Sequence, residues 1–268
     1  MEWRERDGVR WLEASLPGAT AAFSTRVGGA SDPPFESLNL GVFTEDEHRS
    51  VVENRQRLAG ALGLAPERVA IGRQVHGGNL AAHGGPQAPS PFAAPGSPIP
   101  EVDGHVTAER DLALAVLVAD CVPVALAGPG GVAMLHCGWR GLATGCGRTY
   151  PRIPGISTTS RGRGLVGRGV EAIGATHAAI GPSIGPCCYG VGEEVLAVFA
   201  GLGAGVAAGP MLDLPEIARR LLRRAGVERI ESSGLCTSCE PGLFFSHRRD
   251  AGRTGRQAGL AWREGGEV

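Results

Sequence analysis

Residues 114–124, "LAVLVADCVPV", are the stretch whose reading decides the fold. An apolar, β-branched run stops at Asp120-Cys121, and a second run, "VAMLHCGWRG" (132–141), carries its last strand-like residue at His136. Short continuous apolar runs bounded by turn residues read as strands buried on both faces. Leu112–Ala119, Val122–Ala127 and Val132–His136 are therefore expected to be strands. "GPGG" (128–131) signals a turn between neighbours, so the three are expected to form a meander in the middle of one sheet.

Working outward, Thr20–Ser24 and Val69–Val75 read as short strands. "DEHRSVVENRQRLAGALGL" (46–64) between them reads as a helix, because Val51, Leu58 and Leu62 recur near helical spacing. "THAAIG" (176–181) and "ERIESS" (228–233) have strand character, whereas "GEEVLAVFAGL" (192–202) and "LPEIARRLLRRAGV" (214–227) are amphipathic helices. Strands and helices are interspersed without a strict βαβ rhythm, which predicts an α+β fold.

Two segments stand apart. Residues 83–103 carry six Pro, which forbids regular ladders and helices and predicts a long surface loop able to cover a site. Cys146 to Gly169 holds five Arg and no acidic residue, and residues 146–168 are expected to protrude as an Arg-rich, mobile insertion.

At 268 residues one enzyme-sized domain spanning 1–268 is expected. A net charge of −1 gives no field favouring nucleic acid or a membrane surface. All 26 basic residues are Arg, which excludes Schiff-base chemistry and Walker-type phosphate loops. The N-terminus is charged from its second residue, and the longest apolar run is far below the ~20 residues of a membrane helix, so a cytoplasmic protein is expected. Seven Cys, an odd number, then read as thiols or ligands.

His76, Cys121 and His136 each end a strand-like run and make a His-Cys-His set suited to zinc, with a fourth position left open. Each also has a plainer reading, since Cys is commonly buried and a lone His is commonly a satisfied polar group. Cys236-Thr237-Ser238-Cys239 has the CxxC form but no second pair at zinc-ribbon spacing, and Cys187-Cys188 is adjacent; these read as structural or incidental to redox. Arg26, and Arg248, Arg249, Arg253 and Arg256, lie among small and hydroxyl residues and suit phosphate or carboxylate, or else an ordinary salt-bridged surface.

Taken in order, "STRVGGASDPPFESLNLG", "RQVHG", "DGHVT", "LALAVLVADCVPV", "LHCGWRGLATG", "AIGPSIGPCCYGVG" and "FFSHRRDAGRTGRQAGLAW" strongly resemble the YfiH-type family. This is the laccase-domain or polyphenol-oxidase-like family, regarded as zinc-dependent purine nucleoside phosphorylases, and the likeness runs from about Ala21 to Trp262. The resemblance implies a layered β-sheet core flanked by helices, related to cysteine hydrolases. It implies that His76, Cys121 and His136 hold the metal and carry catalysis, and that Arg26, Ser24, Asn39 and Arg248 contact substrate. It also implies a purine nucleoside (adenosine, inosine, guanosine or methylthioadenosine) and phosphate as substrates, with adenosine deamination chemically compatible. Cys137 departs from the family's usual Ala and is expected to add a thiol beside the site.

Three other readings are weighed against this one, the first a non-catalytic binding protein whose inserted loop blocks the pocket. A copper-dependent polyphenol oxidase needs a large set of imidazoles, and the chain has seven His. A thiol hydrolase editing peptidoglycan precursors would use Cys121 as nucleophile, a role that a metal-bound thiolate fills poorly. Oligomeric state is not legible.

Overall fold

The computed structural model describes residues 1–146 and 163–265. Its strands are β1 (Glu2–Arg6), β2 (Val9–Leu16), β3 (Ala19–Ser24), β4 (Val69–Ile71), β5 (Leu80–His83), β6 (Gly104–Thr107), β7 (Ala113–Val118), β8 (Val122–Gly128), β9 (Gly131–Cys137), β10 (His177–Ile180), β11 (Ala207–Ala208), β12 (Met211–Leu212), β13 (Arg229–Ser232) and β14 (Gln257–Arg263). The helices are α1 (His48–Leu62), α2 (Trp139–Ala143), α3 (Gly164–Ile173), α4 (Glu193–Phe199) and α5 (Leu214–Arg224).

One six-stranded sheet runs β1-β2-β3-β14-β7-β4 and a second runs β13-β10-β8-β9-β6-β5. Between them lies a core that includes Leu12, Phe23, Leu114, Val116 and Val118 from the first sheet and Ala125, Val132, Met134 and Ala179 from the second. Leu58 and Ala59 of α1 cover the outer face of the first sheet with Leu38, Leu40 and Phe92. Leu142, Leu165, Val198 and Ile217 of α2 to α5 cover the outer face of the second. The fold is α+β, with two sheets layered between helices.

The expected meander is divided between the sheets. β8 and β9 form the hairpin over "GPGG", but β7 pairs with β14 and β4 in the first sheet. Asp120 makes the corner with a φ of 93°, a left-handed conformation that Asp tolerates better than most residues. Its carboxylate accepts from Thr237 Oγ1 at 2.7 Å and from the Arg248 N–H at 2.7 Å, which fixes the turn. Hydropathy could not separate the alternatives, because β7 and β8 bury both faces in either arrangement.

The expected strand Val69–Val75 stops at Ile71. Beyond it the Gln74 side chain donates to the Leu117 carbonyl at 2.6 Å and accepts the Leu117 N–H at 2.7 Å, so an amide side chain continues the ladder.

The expected insertion 146–168 is also redrawn. Residues 147–162 lie outside the described residues, but 164–168 open α3, where Leu165 and Val166 are buried against the second sheet. Leu165, Val166, Val170 and Ile173 form one apolar helical face, and its burial outweighs the Gly content of this stretch. The Pro-rich stretch 83–103 begins at the last residue of β5 and holds no helix or strand of three or more residues beyond it. It still carries a core residue: Phe92 is fully buried, and Arg55 Nη1 donates to the Pro91 and Phe92 carbonyls.

Candidate metal centre

His76, Cys121 and His136 come together at one end of the sheet pair, with their ligand atoms within 4.8 Å of one another. Cys121 sits at the corner between β7 and β8. His136 is the penultimate residue of β9, opposite Pro123 of β8. His76 lies on the loop after β4, at a φ of 59°. The His76 and His136 rings meet edge to face with centroids 4.9 Å apart, and His76 Nε2 is 3.7 Å from Cys121 Sγ.

Asp103, fully buried just before β6, organises this centre. Its Oδ1 lies 2.8 Å from His136 Nδ1 and accepts the His76 N–H at 2.9 Å, while Oδ2 accepts the Gly77 N–H at 2.6 Å. One carboxylate thus sets the loop that carries His76 and occupies Nδ1 of His136, leaving Nε2 for a ligand bond. Burial alone would push the Asp103 carboxyl up, but the His136 hydrogen bond and charge, with the Gly77 and Val75 amides, hold it below the ordinary range. Burial also opposes charge on Cys121 and His136. Their mutual attraction, aided by Asp103 and His76, prevails: the thiol is drawn down and the imidazole up.

The backbone is cut to fit these donors. A Cβ on Gly138 would stand 2.8 Å from His76 Cδ2 and 3.2 Å from Cys121 Sγ, so a larger residue at the entry to α2 would press the His76 ring out of its place. A borderline-soft set of two imidazoles and one thiolate, gathered at this spacing and braced by a buried carboxylate, fits a zinc ion with one position open to the cavity.

That cavity measures about 1100 Å³. The guanidinium groups of Arg140, Arg248 and Arg256 line it, as do the rings of His48 and His247. Arg248 stacks on the Tyr189 ring at 4.8 Å and donates to the Gly190 carbonyl at 2.7 Å. Arg140 lies 4.5 Å over Trp139. Tyr189 stays a neutral phenol, pushed up to about 12 by burial and by the Cys121 charge. Pro91, Pro95, Pro98 and Ile99 of the Pro-rich stretch form one wall.

Of the expected substrate contacts, only Arg248 lines this cavity. Arg26 donates to the Glu36 and Pro241 carbonyls at 2.6 and 3.1 Å and covers Phe245. Ser24, buried, accepts the Ala258 N–H at 2.9 Å. Asn39, also buried, accepts the Gly41 and Arg256 N–H groups and donates to Thr44 and Asp46. These three hold the scaffold together, and Asn39 thereby places Arg256. Cys137 differs from expectation as well: strand alternation turns it away from His136 into the core with Val122 and Leu142, and burial pushes its thiol up. Asp103 and Asp120 were missed as site residues. The only sign of Asp103 in the sequence is an acid in "DGHVT", expected wherever a ligand His needs an orienting carboxylate.

The sequence matches the family described as multi-copper polyphenol oxidoreductase laccase over residues 20–264. The chain belongs to this family. Among curated relatives, purine nucleoside phosphorylase YlmD of Geobacillus stearothermophilus is 37% identical over 94% of this chain and 94% of its own. A purine nucleoside phosphorylase of Deinococcus radiodurans is 39% identical over 96% of each chain. Among solved structures, YfiH of Bacillus licheniformis superposes with a TM-score of 0.81 at 30% identity over 98% of this chain and 99% of its own. YlmD of G. stearothermophilus gives 0.80 at 35% identity over 98% of each chain. Relatives so named support an enzyme for this member of the family. No helix among the described residues is long and apolar enough to cross a membrane.

Proposed function

We propose that the protein is a zinc-dependent purine nucleoside phosphorylase, with His76, Cys121 and His136 as the metal ligands. The observation that carries this reading is the joining of a three-ligand centre to a cavity lined by Arg140, Arg248 and Arg256. Relatives named for phosphorolysis support the same chemistry. When bound, zinc supplies a Lewis acid at the cavity end where the three ligands meet.

In phosphorolysis a phosphate oxygen bonds to C1′ of the ribose while the bond from C1′ to the purine nitrogen breaks. The bonding pair leaves with the base, which gains a proton. The guanidinium groups of Arg248 and Arg140 suit the phosphate, because planar donors bind its oxygens in pairs. Trp139, Tyr189 and the wall at Pro98 and Ile99 offer flat or apolar surface to the purine. Asp103 keeps His136 in one tautomer throughout. Adenosine, inosine, guanosine and methylthioadenosine all fit this class.

A three-ligand centre can also activate water, which extends the proposal to deamination of adenosine. The 3.7 Å approach of His76 to Cys121, together with a thiol drawn down by its histidine neighbours, favours a thiol hydrolase instead. Metal analysis combined with product analysis tests all three. Zinc content near one equivalent at this centre, and release of hypoxanthine from inosine only with phosphate, are expected. Inosine formed from adenosine without phosphate marks the deaminase arm. Full turnover of nucleoside by zinc-free protein, or near-stoichiometric zinc at this centre in Cys121→Ala, would defeat the zinc reading.

A further inference from the structure

The structure assembles a second group of metal-ligating side chains. Cys187, Cys188, Cys236 and Cys239 bring all four Sγ atoms within 4.8 Å of one another. We propose that they form a closed four-thiolate zinc site, separate in its ligands from the His76-Cys121-His136 centre.

The topology explains how two sequence-distant pairs meet. β10 and β13 are parallel neighbours in the second sheet, so the turns that follow them emerge at the same sheet end. The pairing continues into those turns through the Ser183–Cys236 bridge, with the Thr237 N–H donating to the Ser183 carbonyl at 3.1 Å. Cys187-Cys188 lies on one turn and the CxxC pair on the other.

The distances suit zinc. A tetrahedral ion with Zn–S bonds of about 2.3 Å separates its sulfurs by about 3.8 Å. Cys187 and Cys188 each lie 3.4 Å from Cys239. Because Cys239 is equidistant from two thiols, the geometry singles out no pair for a disulfide. Nor does apolar packing explain the cluster, since Cys187 and Cys239 are exposed. The Gly185 N–H donates to Cys236 Sγ at 3.2 Å, a contact that favours the thiolate.

Four protein ligands complete a tetrahedron, which makes the site structural. Its place gives it a purpose. Tyr189, next to Cys188, lines the cavity and carries Arg248 on its ring, while Thr237, next to Cys236, braces Asp120 and gives its carbonyl to Arg249 at 2.9 Å. An ion joining the two turns would fix Tyr189 and the Asp120 corner relative to each other.

The test counts zinc in purified full-length protein. Two equivalents per chain are expected for the unaltered chain and one for His76→Ala/His136→Ala. One, with the catalytic centre still loaded, is expected for Cys236→Ser/Cys239→Ser. Because that last variant could fail to fold, the His76→Ala/His136→Ala protein is also stripped and reloaded with cobalt. An intense thiolate-to-cobalt charge-transfer band with tetrahedral ligand-field absorption is expected from it. Zinc content unchanged in Cys236→Ser/Cys239→Ser, absence of the cobalt band, disulfides among these cysteines in freshly isolated protein, or iron in place of zinc would each overturn the proposal. A single zinc in the unaltered chain, kept in His76→Ala/His136→Ala and lost in Cys236→Ser/Cys239→Ser, would instead count against the function proposed above and leave this site standing.

Discussion

Asp103 shows how one side chain can govern a site without touching substrate. It fixes the His76 loop through backbone N–H groups and the His136 ring through Nδ1. Asp103→Asn keeps the shape but loses the charge, and removing such an orienting carboxylate typically costs ~10–100-fold in metal affinity. Competition with a chromophoric chelator should show a loss in that range; unchanged affinity would mean that the ligands hold their geometry unaided. The arginines separate at the same scale. Arg248→Ala is expected to raise the phosphate KM severalfold. Arg26→Ala should leave it unchanged and lower thermal stability, because Arg26 is occupied with two carbonyls and Phe245. A raised phosphate KM in Arg26→Ala would return it to the site. The sequence shows that both arginines suit an anion; where each points depends on carbonyls distant in the chain, Pro241 for Arg26 and Gly190 for Arg248.

Among the elements, the strand ends that present His136 and Cys121 were legible, because apolar runs ending in metal-binding residue types are a local signal. The pairing partner of β7 was not, since the same hydropathy serves a meander or a change of sheet, and the decision rests on the left-handed Asp120 and its distant partners Thr237 and Arg248. The four-cysteine cluster escaped for a similar reason: its two halves meet only through the parallel register of β10 with β13. α3 was misread because glycine and arginine masked a short apolar face. Leu165→Ala in that face is expected to cost about 2–5 kcal/mol, as for other fully buried leucines. Denaturant unfolding would check it, and a change below about 0.5 kcal/mol would put Leu165 outside the core. Replacing residues 147–162 by a short Gly-Ser linker, with Leu165 and Val166 kept, should leave cooperative folding intact. Removing 146–168 whole should not.

For the whole molecule, the acid limit of stability is set in part by His105, fully buried on β6 with Nδ1 2.9 Å from His83 Nε2. Burial, reinforced by the charge on His83 and opposed by Asp103, pushes His105 down to about 3, and burial lowers His83 as well. The unfolded chain binds a proton at His105 near pH 6.5 and the folded chain does not, so stability is complete above that value and falls with pH from there toward 3. One such group gives a slope of up to about 1.4 kcal/mol per pH unit. Metal-free protein is the right material, because release of any bound metal would otherwise add its own acid dependence. There His136, raised, loses its contribution as pH climbs above 6.5, Cys121, drawn down to about 6, has lost most of its own once pH falls below that value, and Asp103 and Glu216, both lowered, lose theirs near and below their unfolded values of 3.8 and 4.5, so the window from about 5.5 to 4.5 belongs mainly to the His83–His105 pair. Urea unfolding across that window should show a falling midpoint in the unaltered chain and a flatter profile in His105→Gln, which has no proton to take up. Equal slopes in the two proteins would mean that His105 is protonated in the folded state, and the acid limb would then have to arise from the carboxylates.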